Sequence, residues 1–112
     1  MSRQDNPAVL LAQTFRILGD QTRIRIVMEL QDGELNVTEL CRRLKTSQPT
    51  VSRHLGILRM GSVVLNRRDG KEIYYSINDQ QANDFAKSLK VLLRSANVVT
   101  LGPVVLGLAK NK

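Results

Sequence analysis

From Ser47 to His54 the chain reads Ser-Gln-Pro-Thr-Val-Ser-Arg-His, and most of these side chains are of kinds that read nucleic acid. An amide such as that of Gln48 can bond an adenine edge at two points, and a guanidinium such as that of Arg53 can do the same for guanine. The hydroxyls of Ser47, Thr50 and Ser52 suit base or phosphate. His54 is the only histidine. Nothing else in the sequence could complete a triad or a metal cluster around it, so it is predicted as one more contact to phosphate or base. A second basic group, Arg67, Arg68 and Lys71, brackets Asp69-Gly70. Cations on a projecting turn can reach phosphates or a narrow minor groove, where negative potential is focused. Covalent chemistry is less well provided for. No nucleophile–base pair, phosphate loop or metal-ligand cluster is legible, so neither an enzyme nor a cofactor is expected. Cys41, the single cysteine, is predicted as a small buried residue. A redox switch there is the alternative, and it would need a second thiol from another subunit or a small molecule.

The charge is concentrated where these residues lie. The formal net charge is +7. Residues 41–71 hold eight basic residues and one acid, and the remainder holds nine of each. The whole excess therefore sits in one window, which suits a polyanionic partner.

Positioning these groups takes five helices and one hairpin. The first helix is predicted from about Pro7 to Leu18 after Asn6 as N-cap, with Ala8, Leu11, Ala12 and Phe15 as an apolar stripe. The second starts from Asp20 and runs to about Leu30, with Ile24, Val27 and Met28 as its inner face. The third opens at Asn36 with Glu39 placed for a capping box, and carries Val37, Leu40, Cys41 and Leu44 at helical spacing. The fourth follows a short turn, with Ser47 as N-cap and Pro49 in its first turn. It buries Val51, Leu55 and Leu58 and ends near Met60, with Gly61 as a glycine cap. Pro49, Ser52, Arg53 and Gly56 then face outward, flanked by Gln48 and Thr50. A hairpin follows, Val63–Leu65 and Ile73–Ile77 about Asp69-Gly70. The fifth helix begins near Asn78, with Ala82, Phe85, Ala86, Leu89, Leu93 and Ala96 as a long apolar stripe. A terminal helix has little of its own subunit left to cover such a stripe, so a helix-to-helix homodimer contact is predicted. Leu11, Phe15, Phe85, Leu89 and Leu93 are its expected residues.

The 112 residues are read as a single domain, residues 1–112, with 79–112 contributing to dimerisation. A helix, a short turn, a second helix and a hairpin, in that order, make a winged helix-turn-helix: mainly α with a small β-hairpin. In that motif the second helix enters the major groove of double-stranded DNA with its N-terminal residues at the base edges. Residues 1–6 carry no apolar leader, and the most apolar stretch, Val98 to Leu108, is too short to span a membrane. A cytoplasmic protein is expected, with no membrane partner. The apolar tail could extend a dimer contact, line a pocket or pack loosely.

The segments LGDQTRIRIVMEL, ELNVTELCRRL, TSQPTVSRHLGILRMG and NRRDGKEIYYSI resemble the ArsR/SmtB (arsenic-repressor) family of winged-helix regulators, over about residues 10–78. The run from Ser47 to Leu55 resembles its recognition-helix signature residue by residue. The resemblance implies a dimer built from the first and last helices, acting on an imperfect palindrome near a promoter, usually as a repressor. It also implies that Gln48, Ser52 and His54 contact DNA. The sequence departs from the metal-sensing members. Asn36 and Thr38 stand where those carry two cysteines, and Cys41 matches an auxiliary one. A lone thiolate cannot make the multi-sulfur site that soft metals prefer, and the last helix has no histidine. No metal site is therefore expected, and the effector is left open. Two other readings stand beside the repressor: a thiol-responsive regulator acting through Cys41, and a winged-helix module that binds protein.

Overall fold

The computed structural model describes residues 6–95. The elements run α1 (Pro7–Leu18), α2 (Gln21–Glu29) closing in a 3₁₀ turn (Leu30–Asp32), β1 (Leu35–Asn36), α3 (Val37–Leu44), α4 (Gln48–Met60), β2 (Val64–Asp69), β3 (Glu72–Ile77) and α5 (Asp79–Ser95). Ala96 and the apolar stretch from Val98 to Leu108 lie outside the described residues. No helix among those described is long and apolar enough to cross a membrane.

Local chemistry accounts for the helix starts. Asn6 Oδ1 accepts from the Ala8 amide at 2.9 Å, and Asp20 Oδ1 accepts from the Arg23 amide at 3.1 Å. Asn36 and Glu39 form a reciprocal capping box, with bonds of 2.8 and 3.0 Å. Each satisfies backbone donors that the first turn of a helix leaves open. Gly61 ends α4, but with φ −85 rather than a left-handed backbone; the left-handed residue is Ser62, φ 62. A Cβ at 61 would lie 2.0 Å from Ile17 Cδ1, the far end of a side chain that can turn aside.

One core holds α2, α3, α4 and the sheet together: Ile26, Leu30, Leu35, Leu40, Leu44, Val51, Leu55, Leu58 and Val64. The stripes expected of α3 and α4 are found in it or packed on it. That of α2 is corrected. Ile24 and Met28 are 43% and 65% exposed, while Ile26 and Leu30 are buried. The inward line is Arg23, Ile26, Val27 and Leu30, which has the same helical period, and Arg23 takes its place on that line by hydrogen bonding.

The hairpin is longer than expected and is joined by a third strand. The sheet order is β1-β3-β2, all antiparallel, with Leu35 opposite Tyr75 and Asp69 opposite Glu72. Gly70 and Lys71 are thus the two turn residues. Of these only Gly70 has positive φ, 65, the pattern of a turn whose first central residue is glycine. Tyr75 and Ile77 turn inward onto the core.

α1 packs chiefly on α5. The Phe15 and Phe85 rings meet edge to face at 5.5 Å. Buried on these two helices are Leu11, Thr14 and Ser88. Leu11, expected at a dimer contact, is already covered by its own subunit. Phe85, Leu89 and Leu93 are half-buried, and Phe15, Val91 and Leu92 are exposed.

Candidate nucleic-acid interface

The turn between α3 and α4 spans only Lys45 to Ser47. Lys45 closes α3 in a left-handed conformation, φ 53. The Thr46 amide bonds the Cys41 carbonyl at 3.1 Å, and its hydroxyl donates to the Leu44 carbonyl at 3.0 Å. Arg25, reaching from α2, donates to the same Leu44 carbonyl at 3.1 Å. The end of α3 is thereby tied to α2, and the direction in which α4 leaves is fixed.

The start of α4 is presented to solvent. Ser47, Gln48, Pro49 and Arg53 are exposed, and Thr50 and Ser52 are half-buried. Ser47 precedes the helix as expected, but its hydroxyl donates to Thr50 Oγ1 at 3.0 Å and makes no cap bond to a backbone amide. The positive end of the helix is left unneutralised by its own side chains, a condition that suits a phosphate. Gln48 Nε2 donates to Ser52 Oγ at 3.3 Å, one turn on. These bonds hold the hydroxyl and amide groups of the first two turns on one exposed surface. Gly56 is exposed, and a side chain there would meet nothing within 4 Å.

His54 is not part of that surface. It is buried, and its Nδ1 lies 3.2 Å from Arg23 Nη1 and 3.8 Å from Asp20 Oδ1. Position 54 falls on the inner stripe with Val51, Leu55 and Leu58, and a polar residue is accepted there because partners meet it. An arginine can only donate, so against Arg23 the Nδ1 atom serves as acceptor. Arg23 Nε also donates to the Ile17 carbonyl at 2.5 Å. The carboxyl of Asp20 is held below its usual range, first by the Arg23 amide and then by the nearby Arg23 charge. Asp20, Arg23 and His54 thus join the α1–α2 corner to the reading helix. His54, expected among the outward contacts, is instead buried and ties α4 to the α1–α2 corner.

The wing divides its cations. Arg67, expected to be free, is engaged. Its Nε donates to Glu34 at 2.9 and 3.1 Å, and its Nη2 closes a bidentate pair. The guanidinium also lies 4.8 Å from the Tyr74 ring centre. Glu34 is held below the usual carboxylate range by this pair, and the Arg67 value is raised by it. Strand pairing puts Tyr74 directly opposite both Asn36 and Arg67, so the arginine straps the wing to β1. Arg68 and Lys71 are exposed, and among the described residues neither forms an ion pair.

Cys41 is a free, half-buried thiol packed on the core. The Asn36 side chain is occupied by its capping box. Sequence reasoning missed the Arg23–His54 and Glu34–Arg67 pairs. Only the first left a trace, in the helical spacing of 23 with 26 and of 54 with 51 and 58.

A family profile described as "Bacterial regulatory protein, arsR family" matches residues 20–60, from the Asp20 cap to the last residue of α4. The arsenical resistance operon repressor of Escherichia coli (strain K12) is 45% identical over 71 residues, 62% of this chain and 61% of that protein. The arsenic resistance transcriptional regulator ArsR1 of Pseudomonas putida is 37% identical over 97 residues, 86% of this chain and 75% of that protein. The crystal structure of the transcriptional repressor BigR from Xylella fastidiosa is similar at a TM-score of 0.65 and 32% identity, over 83% of this chain and 97% of that one. The chain spans about three fifths of the length of the first of these relatives and three quarters of the second.

Proposed function

The chain belongs to the arsR family of bacterial regulatory proteins, and from that premise we propose that it is a sequence-specific DNA-binding repressor. It acts as a cytoplasmic homodimer on an imperfect palindrome near a promoter and carries out no catalytic step. The observation that carries this reading is the start of α4: exposed, without a side-chain cap, and dressed with Gln48, Ser52 and Arg53. A helix entering the major groove by that end puts an amide and a guanidinium at base edges and its positive pole at a phosphate. Ser47 and Thr50 serve the backbone there. Arg68 and Lys71 extend the basic surface to the flanking phosphates or minor groove. The exposed Phe15, Val91 and Leu92 supply apolar surface on α1 and α5 for a second copy, with Phe85, Leu89 and Leu93 behind them.

The two named relatives are arsenic-resistance regulators, but the chemistry here favours a different signal. Asn36 caps α3, Thr38 is no thiolate, and Cys41 is a single sulfur; soft metals call for several.

The test is a salt series of binding titrations on the DNA upstream of the chain's own gene, beside a scrambled duplex of equal length. Specific binding is expected to exceed non-specific binding by about a thousandfold or more, and to fall steeply as salt rises. Equal, weak binding to that duplex, to the scrambled one and to fragments selected genome-wide would overturn the proposal and leave a winged helix used for protein contacts.

A further inference from the structure

Where α1 and α5 meet the base of the wing, the fold leaves a groove of about 450 Å³. Leu18 of α1, Val27 and Leu30 at the end of α2, Val63 and Ile77 at the wing base, and Phe85 of α5 line it. The volume falls in the range of small-molecule sites, which are mostly apolar with a few placed polar groups. One such group is present. Thr14, which lines the groove, is 4% exposed, and its Oγ1 has no hydrogen-bond partner among the described residues. A threonine within a helix commonly bonds back to the carbonyl four residues earlier; this one does not. A buried hydroxyl left without a partner is costly, and a structure that retains one calls for an explanation. Among the described residues the single charged one lining the groove is Asp79, which is exposed, and Gln31 and Gln81 add amides.

We propose that this groove is an effector site, and that its occupant is a neutral, largely apolar organic molecule with one hydrogen-bonding group, for which the Thr14 hydroxyl, closed off from solvent as it stands, turns about its Cα–Cβ bond to serve as partner. Among the described residues no cation lines the groove to draw an anion in, and its apolar walls would leave any charged ligand desolvated and unpaired. The site rests on the repressor reading for its role but not for its existence. Its walls come from both halves of the molecule: α2 and the wing base, which hold the reading helix in place, and α1 and α5, which carry the exposed apolar chains. An occupant therefore changes the spacing between the two. It shifts DNA affinity by the difference between its own affinities for the two arrangements.

The test uses the full chain without DNA, titrated with the neutral fluorophore N-phenyl-1-naphthylamine. Saturable, blue-shifted emission at one site per chain is expected. Thr14→Val, which keeps the shape and removes the hydroxyl, weakens uptake roughly fivefold or more, the worth of one hydrogen bond. It melts no lower than the parent, because an unpaired hydroxyl has gone. Ala82→Phe, on the exposed rim, abolishes uptake by filling the groove. Thr14 and Gln81 also line a more polar groove beside the end of α4, which Ala82 does not reach. Uptake unchanged by Ala82→Phe would place the probe there or elsewhere and overturn the assignment. No uptake by the full chain would overturn it too, as when its own 98–108 segment or a second copy covers the groove. With saturating probe, affinity for the upstream duplex is expected to fall about tenfold, within the usual range of coupling between sites; an unchanged affinity would refute the effector role. Probe uptake in the expected variant pattern by a chain that cannot tell the duplexes apart would leave the site standing and refute only the repressor.

Discussion

The reading half and the α1/α5 layer are finished to different degrees. In the first, nine apolar side chains form one buried cluster, and the polar groups around it are answered: Arg23 by Ile17 and His54, Arg25 by Leu44, Asn36 by Glu39. Both halves expose apolar side chains, Ile24, Met28, Met60 and Leu65 in the first and Phe15, Val91 and Leu92 in the second, but in the second a buried threonine hydroxyl has no partner among the described residues. A region whose bonds close internally serves as a rigid support. A region with an unpaired polar atom inside has a bond left to make. Regulation of DNA binding needs both: a fixed reading surface and a layer whose arrangement other molecules can bias.

The largest effect that should separate the two halves is on stability. Leu55→Ala, in α4 and fully buried, is expected to cost about 2–5 kcal/mol through lost transfer energy and the cavity left behind. Val91→Ala, on the exposed face of α5, is expected to stay within about 0.5 kcal/mol. Urea unfolding at low protein concentration measures both. Comparable losses would mean that the α5 face belongs to the subunit's own core as fully as α4 does.

The next effect is on assembly. Val91→Asp with Leu92→Asp places charge on exposed positions of α5, so the folded subunit is expected to keep its circular dichroism and lose the proposed dimer in sedimentation. DNA affinity is then expected to fall by about a hundredfold or more, because linked half-sites owe that much to being joined. A variant that stays dimeric would put the dimer interface on another surface.

Much of the reading half is legible in the sequence because its periodicity is clean. Asn36 and Glu39 mark the start of α3, and the stripes of α3 and α4 stand in register with the core they form. The misreadings have a common physical cause. In α2, residues 24, 27 and 28 and residues 23, 26, 27 and 30 satisfy the same helical period. An arginine stands on the second set, and its charge hides that line from a reading by hydrophobicity. His54 lies at a core spacing from Val51 and Leu58, but its polarity points to an outward position. Both are accepted inside because each supplies what the other lacks, one donating and one accepting, and a pairing 31 residues apart has no local signature. The Glu34–Arg67 pair is hidden in the same way, by a strand of two residues, β1, too short to read as a strand.

The wing gives a smaller, sharper contrast within the reading half. Arg68→Ala and Lys71→Ala are each expected to weaken binding to all duplexes alike and to lower the salt slope by about 1 for each phosphate no longer met. Arg67→Ala is expected to leave the slope nearly unchanged, since that guanidinium is already neutralised by Glu34, and to loosen the wing instead. Titrations over a salt series compare the three slopes directly. Equal slope changes at 67 and 68 would show that Arg67 leaves Glu34 to meet DNA.

The smallest effect lies in acid, and its sign follows from the pairs themselves. Glu34 is held below the ordinary carboxylate range chiefly by its hydrogen bonds from Arg67, and Asp20 chiefly by the Arg23 amide. A carboxylate whose folded value is depressed binds fewer protons in the folded state than in the unfolded one near its titration. Its contribution is therefore present above the unfolded value, about 4, and is lost as pH falls through the lower folded value. Both side chains are more than a third exposed, 37% and 36%, so solvent screening keeps each contribution small. Glu34→Gln and Asp20→Asn remove the titrating groups, and asparagine still caps α2. Melting temperatures from pH 6 to pH 2.5 are expected to fall less steeply below pH 4 for the double variant than for the parent. Parallel curves would mean that neither carboxylate binds its proton differently on folding, and that Arg67 holds the wing without drawing net stability from its charge.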